Sequence, residues 1–140
     1  AEYGGLAKAA PIYTIAFLIV TFSSIAVPLT NGFVGEFLIL LGTFEANRWI
    51  AGVAATGVIL GAVYMLWAVK RIFFGERGTA LGHYEEEKLD INGREIAVLV
   101  PLVILIFWMG VFPGDFLNWS KASLEHFVTN RTHYELKLEE

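Results

Sequence analysis

Val27-Pro28-Leu29-Thr30-Asn31-Gly32 interrupts a long apolar run. The run extends from Pro11 to Phe44, and Glu36 is its one charged residue. A straight helix over those 34 residues would be ~51 Å long at 1.5 Å per residue. The hydrocarbon core of a bilayer is only ~30 Å thick. Pro28 removes a backbone donor and crowds the preceding turn, and Asn31-Gly32 is a turn dipeptide. The stretch therefore predicts two half-helices, about Pro11–Ala26 and Phe33–Phe44, joined by unwound residues at 28–32. Together they form one discontinuous membrane span over 11–44. Two other readings stay open. One is a span followed by a re-entrant half-helix, which would reverse the parity of everything downstream. The other is a plain proline kink in a packing helix, or a soluble-side loop. Irregular backbone at membrane depth must be satisfied by protein or a water-filled cavity, and broken helices of this kind are typical of transporters.

The rest of the chain agrees with a membrane setting. Of 140 residues, 56% are hydrophobic and 17% charged, against roughly 25% charged in soluble domains. Mean hydropathy is +0.58. A disordered chain would not be this apolar, and the net charge of -4 argues against a nucleic-acid partner. With no Cys there are no thiolate metal sites, iron–sulfur ligands or disulfides in this chain. Residues 49–69 and 96–114 are free of charge over 21 and 19 positions, one span each by length. The chain opens on Ala1-Glu2-Tyr3, which reads as a C-terminal piece of a longer protein.

Residues 75–94 are polar and carry Glu85-Glu86-Glu87; they read as an extramembrane loop. Residues 117–140 read as a tail, with Leu117, Leu124, Phe127 and Val128 at helical spacing. Either an amphipathic surface helix or an ordinary solvated tail fits that pattern. Three crossings sort the cations into two groups. Lys8, Lys70, Arg71, Arg77, Lys88 and Arg94 share one side; Arg48, Lys121, Arg131 and Lys137 share the other. The positive-inside rule then puts the 75–94 loop in the cytoplasm and the tail outside. Trp49, Trp67, Phe73, Phe74, Phe112, Phe116 and Trp119 fall at the span ends, where aromatics favour the interface. Gly57 and Gly61 form a small-xxx-small pair that lets a neighbouring helix approach.

Glu36 is the candidate functional residue. Carboxylates inside apolar spans are costly, face bundle interiors or water cavities, and mark proton or ion paths. Gly35 precedes it, and the break residues Pro28, Thr30, Asn31 and Gly32 end about one turn before it. Thr30 and Asn31 are positioned to cap the second half-helix or to hold water beside Glu36. The competing reading is a fixed ion pair between Glu36 and a Lys or Arg. His83, His126 and His133 have no second ligand at metal spacing and read as solvated. Nothing in the chain has the pattern of a hydrolytic or redox centre.

The stretch from Pro28 to Phe37, Pro-Leu-Thr-Asn-Gly-Phe-Val-Gly-Glu-Phe, resembles a motif of the antiporter-like, proton-translocating subunits of respiratory complex I. Leu38 to Phe44 and Lys70-Arg71-Ile72-Phe73-Phe74-Gly75 are similar to the same family, and the likeness runs from Gly4 to about Trp119. It implies an all-α membrane protein, with this chain supplying the C-terminal three spans of a fourteen-helix bundle. Glu36 falls on the family's ionisable position of the second discontinuous helix. A Glu there implies the M type of bacterial NADH:quinone oxidoreductase, equivalent to mitochondrial chain 4, whereas the L type carries Lys. The resemblance further implies proton translocation across a bacterial inner membrane. Partners would be other membrane-arm subunits, especially neighbouring antiporter-like ones. NADH, FMN, iron–sulfur clusters and quinone would sit in partner subunits, with no cofactor in this chain. A cation/proton antiporter subunit, a membrane-bound hydrogenase subunit and a purely structural membrane subunit are the alternatives.

Overall fold

The computed structural model describes residues 4–76 and 90–138, with side chains through residue 128. Most of the predicted 75–94 loop, with His83 and the three glutamates, therefore lies outside the described residues, as does the side chain of His133. The described residues form six α-helices and no strand: α1 Leu6–Ala9, α2 Pro11–Ser24, α3 Asn31–Ala46, α4 Arg48–Phe73, α5 Gly93–Val111 and α6 Pro113–Leu138.

Helices α2, α4 and α5 each start with a signal in their own sequence or borrow one. Pro11 opens α2 at a position where its missing N–H is of no consequence. One residue, Asn47, both ends α3 and caps α4, its side-chain oxygen accepting from the N–H groups of Trp49 at 2.9 Å and Ile50 at 3.2 Å. Asn92 and Glu95 form a reciprocal capping box on α5, with the Asn92 N–H donating to Glu95 at 2.8 Å. The helix α5 continues through Pro101. After Phe112 the chain turns into α6, and Trp108 packs edge-on against Phe116 with ring centres 5.4 Å apart.

The break between α2 and α3 lies earlier than the sequence suggests. It runs over 25–30, not 28–32. The physical reason is the reach of Pro28: its ring excludes a helical carbonyl four residues back, at Ser24, and its neighbour Val27 is pushed out of helical conformation. The end of α2 closes in a Schellman arrangement. The Val27 N–H donates to the Phe22 carbonyl at 3.0 Å, and the Ala26 N–H to Ser23 at 3.3 Å. Ala26 takes the left-handed conformation that this motif needs, at φ 55°, and Leu29 follows at φ 76°. Asn31-Gly32 is not a turn; it forms the first turn of α3.

Phe73 at the end of α4 is only 2% exposed. It packs on Phe17 and Tyr13 near the start of α2, with ring centres 4.7 and 5.9 Å apart. So α2 and α4 run antiparallel, and Phe73 is a packing residue, not an interfacial one. Trp49 and Trp119 stay exposed, at 88% and 80%. Helix α3 packs against both α4 and α5. The buried set is small, and it includes Thr14, Thr21, Ser23 and Thr30 beside Ala9, Ala10, Ala51 and Val69. Large apolar side chains such as Ile39, Val53 and Leu60 point outward, the reverse of a water-soluble domain. Among the described residues two helices, α4 and α5, are long and apolar enough to cross a membrane, while α2 is apolar but shorter.

Candidate functional site

The site is built around the break. Thr30 sits at the N-cap of α3 in an extended conformation, yet its side chain does not cap the helix. Its hydroxyl donates back to the Val27 carbonyl at 2.6 Å and closes the unwound loop on itself. Asn31 does not cap either: its side-chain oxygen accepts from the Ser23 hydroxyl and ties α3 to the last turn of α2. Both residues hold the break together, and the expected caps are absent because these side chains are already engaged.

Gly32 explains how closely the two half-helices meet. A Cβ there would collide with the Ser23 carbonyl. The glycine is needed for backbone approach, not for a turn. Gly35 is exposed, and a Cβ there meets nothing.

Glu36 lies one helical turn beyond Gly32, on the same face of α3. As a residue it is only half-buried, so the buried carboxylate expected from the sequence is not what the structure has. One of its oxygens, Oε2, is nevertheless enclosed and has no hydrogen-bond partner among the described residues. Glu36 lines a cavity of about 340 Å³ with Ser24 and Ile25 at the end of α2 and Gly57, Gly61 and Tyr64 of α4. That is room enough for water. Gly57 and Gly61 form part of the cavity wall. A Cβ on Gly57 would meet nothing, and one on Gly61 only Tyr64 of its own helix. Among the described residues they admit space, not a closely packed helix.

Two residues that sequence reasoning passed over position this site. Gly110, near the end of α5, lies against the backbone of the break, and a Cβ there would collide with the Leu29 carbonyl and the Thr30 backbone. Its only signal was a lone glycine in an otherwise apolar run. Asp90 accepts from the backbone N–H groups of Ile12 at 3.0 Å and Tyr13 at 2.9 Å, capping α2 from a distant part of the chain. No local pattern announces such a cap. Among the described residues, no three His, Asp or Glu side chains gather as a metal would require.

A family model described as NADH:quinone oxidoreductase/Mrp antiporter, transmembrane, matches residues 1–63, which include the break and the cavity's Glu36. The NADH-quinone oxidoreductase subunit M of Rhodobacter capsulatus is 40% identical over 134 residues, covering 93% of this chain and 25% of that relative. The chain is similar to this antiporter-like family over those residues, and to that relative over nearly the chain's whole length. The NADH-ubiquinone oxidoreductase chain 4 of Marchantia polymorpha is 39% identical over 126 residues, 90% of this chain and 25% of its own length. This chain also matches a chain of respiratory complex I from Thermus thermophilus with bound NADH. That match has a TM-score of 0.71 at 37% identity, over 82% of this chain and 23% of the other. The chain thus spans about a quarter of the length of the curated relatives it matches.

Proposed function

We propose that this chain is part of a proton-translocating subunit in the membrane arm of a bacterial NADH:quinone oxidoreductase, with Glu36 as a proton carrier. The observation that carries the reading is the enclosed, unpartnered Oε2 of Glu36 beside an interrupted helix and a cavity large enough for water. A fixed ion pair would set a Lys or Arg against the carboxylate, and among the described residues none meets Oε2. One that exchanges protons needs an open lone pair and a hydrated approach. The break over 25–30 opens the end of α2, so that Ser24 and Ile25 form one wall of that approach.

In this reading α2 and α3 make one discontinuous span, α4 and α5 one each, all in the inner membrane. Lys8, Lys70, Arg71 and Arg94 mark the cytoplasmic side and α6 the outer side. The partners are other membrane-arm subunits, particularly neighbouring antiporter-like ones, and the surrounding lipid. NADH, FMN, iron–sulfur clusters and quinone belong to partner subunits, so electrons do not pass through this chain. A second reading, a subunit of a cation/proton antiporter, draws on the family description, which names both. Copurification with a NADH-oxidising arm favours the first reading; copurification with antiporter subunits alone favours the second.

The test uses the full-length chain in its assembled complex. Glu36→Gln keeps size but cannot ionise; Glu36→Asp keeps the acid. Proton pumping in sealed vesicles is measured beside quinone-linked NADH oxidation. The expected result is a loss of pumping of about tenfold or more in the Gln variant, with intact assembly and partial activity in Asp. Wild-type pumping by the Gln variant would contradict the reading.

A further inference from the structure

We infer that Gly110 is a positioning residue for Glu36: it sets where the second half-helix begins, and thereby where the carboxylate sits in its cavity. The inference rests on the proton-carrier reading above. The first turn of α3 is wedged between two backbones. On one side, Gly32 fits against the Ser23 carbonyl of α2; on the other, the Leu29–Thr30 peptide fits against Gly110 of α5. Each fit depends on a missing Cβ, and each obstacle is main chain, which cannot rotate away as a side chain would.

Helix α5 also grips the other end of the first half-helix. Asp90, three residues before α5 begins, binds the N–H groups of Ile12 and Tyr13 at the start of α2. So α5 holds the broken span at its entry and at its break. Leu29, at φ 76°, is a non-glycine residue in the left-handed region, so the peptide against Gly110 has little freedom of its own. A methyl group at position 110 has to push that peptide, and with it the α3 turn that leads to Glu36. A displacement near 1 Å at a reacting group costs about a hundredfold at most in positioned chemistry.

The experiment uses the assembled complex with Gly110→Ala, Gly52→Ala, Gly110→Ala combined with Leu29→Gly, and Glu36→Gln. Gly52 is an open-space glycine on α4 and serves as the control. Proton pumping in vesicles and the infrared carboxyl band of Glu36 are read. The expected result is that Gly110→Ala lowers pumping by about tenfold and shifts the band, and that Gly52→Ala does neither. Leu29→Gly frees the strained peptide to move aside and restores both. A merely destabilised protein would lose pumping without a shift of the Glu36 band. If Gly110→Ala prevents assembly, the double variant decides: recovered assembly and pumping supports the inference, and no recovery overturns it. Wild-type pumping by Gly110→Ala beside a dead Glu36→Gln overturns the inference and leaves the proton-carrier reading standing. Wild-type pumping by Glu36→Gln overturns that reading, and this inference with it.

Discussion

The carboxylate of Asp90 accepts a hydrogen bond from the Tyr13 N–H at 2.9 Å, across 77 positions of sequence. With the bond from Ile12, both oxygens are engaged at the first turn of α2. The residue at the N-cap itself, Ala10, has no side-chain acceptor to offer. Asp90→Ala should therefore lower the thermal stability of the assembled complex, and Asp90→Asn, which keeps one acceptor oxygen, should lower it less. Melting of the purified complex in detergent checks the order of the two.

The same contact gives a pH dependence. Desolvation raises the Asp90 pKa, but hydrogen bonds from the backbone N–H groups of Ile12, Tyr13 and Ile91 outweigh it and hold the carboxyl below its ordinary value of 3.8. A carboxyl depressed in the folded state adds stability that is fully present above its ordinary value. That stability is lost as pH falls through the folded one. The gap in melting temperature between wild type and Asp90→Asn should be constant from pH 7 to about 5 and narrow below pH 3.8. A gap that stays constant throughout that range would show that the charge of Asp90 is not what holds α2.

Ala26 occupies the left-handed position of the motif that ends α2. A glycine there removes the Cβ conflict, worth about 1 kcal/mol. Ala26→Gly should stabilise the break and leave pumping unchanged, provided that the break already has its working geometry. Comparative melts with a pumping assay measure both quantities.

Gly32 and Gly35 are one turn apart and should respond in opposite ways. Gly32→Ala drives a methyl into the Ser23 carbonyl and should cost about 1–3 kcal/mol by overpacking. Gly35→Ala meets open space and should be neutral or gain up to about 1 kcal/mol from helix propensity. Chemical denaturation of the two variants, side by side, separates a packing role from a conformational one.

The fold was largely legible because its signals are local. Charge-free stretches located α4 and α5, and Pro28 located the interruption. The break starts earlier than Pro28 itself because the proline acts four residues upstream, on Ser24. The candidate site was legible at Glu36, a charge where none is expected. Its supports were not. Thr30 and Asn31 have the chemistry of caps, yet they bond to Val27 and Ser23, a choice fixed by how α2 meets α3. Gly110 and Asp90 act on residues far away in sequence. Their roles depend on α5 lying alongside the broken span, and no window of sequence contains that fact.

The central claim is that Glu36 changes its protonation state during turnover. Infrared difference spectroscopy on the full complex, with and without NADH, tests it most directly, using Glu36→Gln to assign the band. The account predicts a carboxyl band that appears or disappears with turnover in wild type and is missing from the Gln variant. A difference spectrum identical in the two proteins would contradict it and leave Glu36 a fixed structural charge.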